Sequence, residues 1–497
     1  MLARILAGIG REERTMVDIR PALHYVGLIL CLLAGFMLIP VMAELVRGQG
    51  HWPAFLLAGG VTLFSGLGLV LGTWSENRQL TLRQLYVAMV LGWIAPIFFA
   101  ALPFLYGPQP LTLLDALFEA TSGLTTTGMT VWRDLDQGDP GMLMWRSLLN
   151  WLGGMGVAVC ALAVLPHLAI GGMQVFRVDV AQGRGHAAPG AIRIGGTLAV
   201  YYIGGTFLLA VLLWIAGMSR FDALAHAMSI LSSGGFSTHD DSLAFYGSRW
   251  IDTLAAMGML ASGMPLILFY HLLRGQGRRL LADQQIHWYL GMVLLGGISL
   301  GLWLMAELNF TWDEALHHGL VTAISILSGN GMSSLYYSDW LGLPAAILFF
   351  MVIVGSCAGS LGSGFKIFRL HMLFVSAIAL IRQMLQPHAV MIARFNRRHV
   401  PEDVLESVLG FLFITLLTLA GLALALAFVG LDFISSLSAA ASALSHVGSG
   451  LGELIGPGGG GAPLPDSAKI ILMLGMIFGR LEMLPLLVLF VPTFWKP

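Results

Sequence analysis

TTTGMT (Thr125–Thr130), SSGGFST (Ser232–Thr238), LSGNGMSS (Leu327–Ser334) and LSHVGSGLG (Leu444–Gly452) recur along a chain that is otherwise almost all apolar. Each follows an apolar stretch too short to cross a bilayer, and each precedes a polar stretch and a full-length apolar span. Span, short re-entrant helix, glycine-bearing extended segment, span is the order of a pore loop. Irregular backbone at membrane depth is tolerated only where it is buried in protein or lines a cavity. The central glycines Gly128, Gly235, Gly331 and Gly448 lie 107, 96 and 117 residues apart (235 − 128, 331 − 235, 448 − 331). A period near 100 residues predicts one duplicated unit, and four copies can close around one axis. That points to a cation pathway.

Composition sets the same frame. The 497 residues are 57% hydrophobic and 11% charged, with a mean hydropathy of +0.81, whereas soluble chains carry about a quarter charged residues. A span of ~20 apolar residues crosses a ~30 Å hydrocarbon core, and the sequence offers about ten such spans plus four half-spans. Cys31, Cys160 and Cys357 all lie in apolar stretches, so neither a disulfide framework nor a zinc site is implied. The run Tyr25–Val46 is too long for the core of a cleaved signal peptide and reads as a first membrane helix. The 14 histidines show no metal-ligand spacing. No nucleophile stands with a base, no soluble nucleotide-binding domain is apparent, and nothing suggests nucleic acid. An enzyme is not expected.

The fold expected is an all-α polytopic membrane protein: four pseudo-repeated helix–pore loop–helix units around one pore, plus two N-terminal helices. The divisions fall at 1–80 for the helix pair (near Tyr25–Val46 and Pro53–Gly72), then 81–170, 171–280, 281–400 and 401–497 for the units. Short helices are expected near Leu113–Gly123, Asp222–Leu231, Glu314–Leu327 and Phe433–Leu444. Asp115 and Asp222 each stand 13 positions before their glycine (128 − 115, 235 − 222), where a carboxylate suits a helix N-terminus. Glu314 and Asp432 stand 17 and 16 before theirs (331 − 314, 448 − 432), so those helices are a turn longer or their loops differ.

Charge sets an orientation. With both termini on one side, that side holds Arg4, Arg11, Arg14, Arg20, Arg78 and Arg83, then Arg177, Arg184, Arg193, Arg274, Arg278 and Arg279. Arg369, Arg382, Arg394, Arg397, Arg398 and Lys496 bring the total to 18 of 26 basic residues. Six fall opposite (Arg47, Arg133, Arg146, Arg220, Arg249, Lys469), and Lys366 and Arg480 lie within the membrane region. The positive-inside rule makes the first side cytoplasmic. Every glycine segment then lies toward the outside, beside the acidic residues Asp134, Asp136, Asp139, Asp240, Asp241, Asp339 and Asp466.

A dehydrated cation needs replacement oxygens, which backbone carbonyls supply where the chain is extended around a cavity. Glycine permits the angles that turn successive carbonyls one way. The run Gly355, Ser356, Gly359, Ser360, Gly362, Ser363, Gly364 interrupts an apolar span, so it too must line a cavity. Lys366 follows it, but Phe365 intervenes and no Ser or Thr comes next, which fails the phosphate-loop spacing. Arg480 sits within an apolar helix, where a lone arginine costs about 2.5–3.5 kcal/mol even on the mild insertion scale. A structural pairing, with Glu482 or a loop carbonyl, is the plain reading of it.

These segments resemble the degenerate filters of the TrkH/KtrB/HKT superfamily of potassium transporters. NWLGGMG (Asn150–Gly156), GGFSTHD (Gly234–Asp240), GSCAGSLGSGFK (Gly355–Lys366), GRLEMLPLLVLFVPTFW (Gly479–Trp495) and the two extra N-terminal helices resemble its TrkH branch over essentially the whole chain. The resemblance implies potassium as substrate, a pseudo-fourfold pore in each subunit, and a homodimer in a bacterial inner membrane with both termini cytoplasmic. It also implies a TrkA-like cytosolic ring of nucleotide-binding regulatory subunits, with no cofactor in this chain. Among potassium symporters the residues specify neither a proton nor a sodium partner. Filter carbonyls would come from Thr126, Thr127, Gly128 and Met129; Ser233, Gly234, Gly235 and Phe236; Gly329, Asn330, Gly331 and Met332; and His446, Val447, Gly448 and Ser449. Gly329, Asn330, His446 and Ser449 depart from the family's usual residues. Glycine at all four centres departs from the sodium-preferring subgroup, which carries one serine. The gate implied is the loop of Gly355, Gly359, Gly362 and Gly364 with Lys366, and Arg480 beside it as a barrier to cations. The rival, a secondary carrier for an organic or anionic solute, predicts two inverted halves with paired broken helices, where this chain has four units of one sense.

Overall fold

Seven helices among the described residues are long and apolar enough to cross a membrane, and eight if one bent pair counts as a span. The computed structural model describes residues 18–48, 50–74, 80–160, 187–273, 275–386, 394–396, 398–452, 455–456 and 464–496. Arg4, Arg11, Arg14, Arg78, Arg177, Arg184, Arg274 and Arg397 lie outside them. Large apolar side chains such as Phe64, Leu71, Phe413 and Phe428 stand exposed on the helices, as a surface in contact with lipid chains requires.

The first two spans, Arg20–Val46 and Trp52–Gly72, form a close hairpin. A Cβ on Gly27 or Gly66 would come within 3.0 Å of the other glycine's carbonyl oxygen, the small-residue contact by which membrane helices approach each other. Each unit then supplies a leading span, a short helix and a trailing helix. The leading helices are Leu82–Ala100, Ala187–Ile215, Gln284–Leu308 and Glu402–Phe428. The short helices are Leu113–Leu124, Arg220–Leu231, Trp312–Ser328 and Phe433–Ser445, within three residues of expectation. Apart from a two-residue antiparallel ladder, Arg394–Phe395 with Arg398–His399, the described chain is helix and loop.

Fewer full spans appear among the described residues than the hydropathy predicts, and three of the four trailing helices are broken. Arg249–Ser262 and Leu266–Leu273 meet at 101°, with Pro265 just ahead of the second piece. Leu343–Val354 and Ile367–Leu385 are separated by the glycine-serine loop, and Asp466–Arg480 gives way at Glu482 and Met483, both at positive φ, to Leu484–Leu489. The fourth, Pro140–Val159, is continuous and starts with Pro140 in its first turn after the Asp139 cap.

Helix caps explain the uneven spacing of the acidic residues. Thr112, Ser219 and Thr311 are N-caps that accept from the backbone N–H of Asp115, Asp222 and Glu314, whereas Asp432 is itself the N-cap of the fourth short helix. From N-cap to glycine the distance is 16 residues in the first, second and fourth units (128 − 112, 235 − 219, 448 − 432) and 20 in the third (331 − 311). Only the third short helix is a turn longer; the fourth differs in which residue caps it.

The third unit's leading and short helices pack through glycine. A Cβ at Gly319 would fall within 3.0 Å of Gly297 O and Gly301 N. Gly319→Val therefore forces these backbones apart, and overpacking of this kind costs about 1–3 kcal/mol. The expected outcome is a lower melting temperature of the detergent-purified protein, measured by loss of its monodisperse peak on heating.

Candidate ion-conduction site

Each short helix ends in the same way. The residue two before the glycine takes a left-handed conformation: Thr126 (φ 53°), Ser233 (55°), Gly329 (77°) and His446 (55°). The next residue then donates its N–H back to a helix carbonyl: Thr127 to Ser122 at 2.8 Å, Gly234 to Ser229 at 2.8 Å, Asn330 to Ser325 at 2.9 Å and Val447 to Ser442 at 3.1 Å. This is the six-to-one bond of a Schellman cap. Gly329, unusual by residue type, is thus glycine at a position whose backbone favours glycine.

The central glycines adopt φ of 82°, 78°, 72° and 83°, and each faces the carbonyl of the next segment. A Cβ on Gly128 would lie within 3.0 Å of Gly234 O, on Gly235 of Asn330 O, on Gly331 of Val447 O, and on Gly448 of Thr127 O. The contacts run first to second to third to fourth and back to first, so the segments close into one ring. No side chain fits at any of the four positions. Met129, Phe236 and Met332 are buried behind the ring, and Ser449 Oγ donates to Gly331 O at 3.4 Å.

A cavity of about 110 Å³ lies on the side of the ring where the segments run on, bordered by the four glycines, Arg146, Asp240 and Ser333. The acidic residues near it are largely engaged. Asp240 accepts from Leu135 N at 3.0 Å, Asp241 accepts from Tyr336 Oη, and Asp136 bonds His239 Nδ1. Burial works against a charged His239, but the carboxylates of Asp222, 3.8 Å from Nε2, and Asp136, bonded to Nδ1, outweigh it and raise its pKa.

Two fully buried charges brace this face: Glu119 lies in the first short helix, and Arg146, counted among the outer-side charges, lies inside helix Pro140–Val159, 1% exposed. Its Nε lies 3.4 Å from Glu119 Oε2, its Nη1 donates to Ser237 O at 3.0 Å, and its guanidinium stacks 4.2 Å over Phe236. Glu119 Oε1 accepts from Val131 N at 2.7 Å and Trp132 N at 3.2 Å. One ion pair therefore ties the first short helix to the chain leaving the first and second segments. Sequence reading passed over Glu119; its signal was a carboxylate in the middle of an apolar half-span.

On the other side lies the loop from Gly355 to Lys366. Gly355, Gly359 and Gly364 have φ of 67°, 76° and 99°, and a Cβ on Gly362 would strike Ser328 O at the end of the third short helix. The break in the second unit supplies the loop's partners. Cys357 N donates to Gly263 O at 3.1 Å, Leu361 N to Ser262 O at 3.2 Å, and Gly359 O accepts from Leu266 N at 2.9 Å. Gln285 Oε1 accepts from Ala358 N at 2.9 Å. The bend thus frees backbone groups that the loop needs.

Arg480 reaches this loop, donating from Nη1 to Ser363 Oγ at 2.9 Å and from Nη2 to Thr126 Oγ1 in the ring. Glu482 is not its partner. That carboxylate pairs with Lys366 at 3.2 Å and Arg369 at 2.5 Å, which corrects Arg369 from a loop position to a buried one, 0% exposed and 3.8 Å over Phe411. Beneath the ring, two cations therefore share one carboxylate, and Arg480 stands apart from it. A second cavity of about 250 Å³ is lined there by Ser363, Lys366, Arg480 and Glu482 and by apolar Phe350 and Leu416.

Residues 51–496 match the TrkH family, described as a cation transport protein. The chain belongs to the TrkH family. Among its TrkH-family relatives is the Trk system potassium uptake protein TrkI of Halomonas elongata, 35% identical over 99% of this chain and 100% of that one. The Trk system potassium uptake protein TrkH of Escherichia coli is 33% identical over 96% and 99%. The crystal structure of the potassium transporter TrkH from Vibrio parahaemolyticus superposes with a TM-score of 0.88 at 30% identity, over 97% of this chain and all of that chain. The helical polytopic architecture is therefore that of a TrkH-family membrane protein.

Removing one partner of the Glu119–Arg146 pair leaves a buried charge uncompensated, which typically costs 3–5 kcal/mol. Glu119→Gln or Arg146→Gln should each lower the melting temperature markedly, and the double variant should recover part of the loss.

Proposed function

We propose that this protein takes up potassium ions across a bacterial inner membrane, with the carbonyls of the glycine ring replacing the ion's hydration shell. The observation that carries the reading is the cyclic fit of each central glycine against the next segment's carbonyl. A closed ring of backbone oxygens with no room for side chains can supply the oxygens that a bare monovalent cation requires. The potassium sites are then the carbonyls of residues 126–129, 233–236, 329–332 and 446–449. The four short helices direct their C-terminal, partially negative ends toward the same place.

The gate consists of the Gly355–Gly364 loop, held by Lys366 and Arg369 through Glu482, with Arg480 bridging loop and ring. An arginine so close to the ring repels an arriving cation, less screened than in bulk water. The chain divides at 1–80, 81–170, 171–280, 281–400 and 401–497, each of the last four supplying one segment. The bias of basic residues places both termini in the cytoplasm, and the basic loops there suit a TrkA-like nucleotide-binding ring. A homodimer in lipid completes the assembly, without a cofactor in this chain.

Rubidium, potassium and sodium flux in liposomes of purified protein tests the reading. Gly235→Ala places a methyl group on Asn330 O and should lower potassium flux or its ratio to sodium flux at least about tenfold, ~1.4 kcal/mol at the ring. A folded Gly235→Ala protein with unchanged flux and selectivity removes the ring from the ion path. Arg480→Ala, at matched incorporation, should raise resting flux without any cytoplasmic partner, while Arg480→Lys should not. Flux at or below the parent's in a folded Arg480→Ala protein makes the residue an anchor between loop and ring.

A further inference from the structure

On the flank between the second and third units, Asp252 of helix Arg249–Ser262 meets His317 and His318 of the third short helix. One potential ligand atom from each of the three lies within 4.8 Å of the other two. His317 Nε2 and Asp252 Oδ2 are 3.6 Å apart, too far for a hydrogen bond. Asp252 Oδ1 and His317 Nε2 are both buried with no hydrogen-bond partner among the described residues. Leaving such groups unsatisfied in an apolar flank is costly. Two ligands at ~2.0–2.1 Å from a tetrahedral zinc stand about 3.3 Å apart, so the gap needs little closing to hold an ion. His318 Nδ1 is already fixed by Ser334 Oγ at 3.0 Å, the kind of partner that orients a metal-ligating imidazole.

The cluster can be reached from solvent. One helical turn toward the surface, Arg249 and Asp313 form an ion pair whose side chains are 55% and 49% exposed, which also balances the positive charge closest to the cluster. A second grouping, Glu44, His51 and Asp139, has a structural task instead. Glu44 and Asp139 both accept from Gly141 N, at 2.7 and 3.0 Å, and so cap helix Pro140–Val159.

We propose that Asp252, His317 and His318 form a binding site for a divalent transition-metal ion, separate from the glycine ring and taking zinc among biological metals. Two imidazoles and one carboxylate suit such an ion and leave a position for water or a further ligand. Through His318 and Ser334 the bound ion would tie helix Arg249–Ser262 to the chain three residues beyond Gly331.

The test uses untagged full-length protein in lipid nanodiscs, dialysed against zinc alone, with bound metal counted by mass spectrometry and melting temperature read with and without zinc. The parent should bind about one zinc per chain and melt higher with it. Asp252→Asn and His317→Gln, both near-isosteric, should bind at least about tenfold more weakly and lose the zinc-dependent rise, with His318→Gln as a third variant should either misfold. His51→Gln should match the parent. Absence of zinc binding by the parent overturns the site. So does parental affinity in folded Asp252 and histidine variants, or loss of zinc only in His51→Gln.

Discussion

A backbone that leaves the helix inside a membrane must find partners for its N–H and C=O groups within the protein, because the surrounding hydrocarbon offers none. Most of the irregular structure here answers that constraint. Four short helices stop at membrane depth, and each stop is closed by the same left-handed residue and the same bond from the following N–H to a serine carbonyl. The carbonyls that remain point where the next segment's glycine has no side chain. The glycine-serine loop is settled in the same way, by a neighbouring helix that bends through 101° and presents Ser262 O, Gly263 O and Leu266 N to it. Two departures from helix, each untenable alone, satisfy each other.

Charge inside the fold follows a parallel rule. Glu119 and Arg146 are both essentially inaccessible, yet between them they receive or make contacts to Val131, Trp132 and Ser237. A buried pair is tolerable where further hydrogen bonds complete it, and here those bonds fix the chain just past the first and second glycines. Beneath the ring the balance is deliberately uneven. Lys366 and Arg369 share Glu482, while among the described residues Arg480 donates to two hydroxyls, those of Ser363 and Thr126. Hydroxyls hold a guanidinium in place without cancelling its charge.

Much of this was legible in the sequence, and the parts that were not have physical reasons. Glycines at a near-constant period and short apolar stretches gave the ring and its four helices almost to the residue. The uneven acid spacing hid a regular one, because Asp115, Asp222 and Glu314 sit inside the first turn and Asp432 sits at the cap itself. An apolar run carries little mark of a bend: in the second unit only Gly263 and Pro265 hinted at one, whereas the glycine-serine run at Gly355–Gly364 was legible as a break. Arg369 read as a loop charge because orientation rules count charges near span ends, and burial is decided by a partner contributed from elsewhere in the fold. The Asp252, His317 and His318 cluster was invisible for a similar reason. Its carboxylate and imidazoles come from different units, so no local spacing announces it.

The variation among the four segments also has an order. The conserved requirement at each segment is a backbone one, a left-handed residue followed two places later by glycine, so the side chain at the left-handed position is free to serve the layer beneath. Thr126 Oγ1 takes Arg480, Ser233 Oγ meets Ser262 Oγ at 2.8 Å, and His446 Nε2 lies 2.8 Å from Met476 O. Gly329 carries no side chain, and there the loop itself approaches, with Ser363 N 3.5 Å from where a Cβ would stand. Three of these four contacts lead to the glycine-serine loop within one step: through Arg480 to Ser363, through Ser262 to Leu361, and directly from Gly329. A displacement of that loop therefore takes a partner from Arg480 and from Ser262, the groups that meet Thr126 and Ser233, and removes the neighbour that faces Gly329. Degeneracy among the segments is in this sense the means by which a nearly symmetric ring is joined to an asymmetric layer below it, one kind of contact for each quarter.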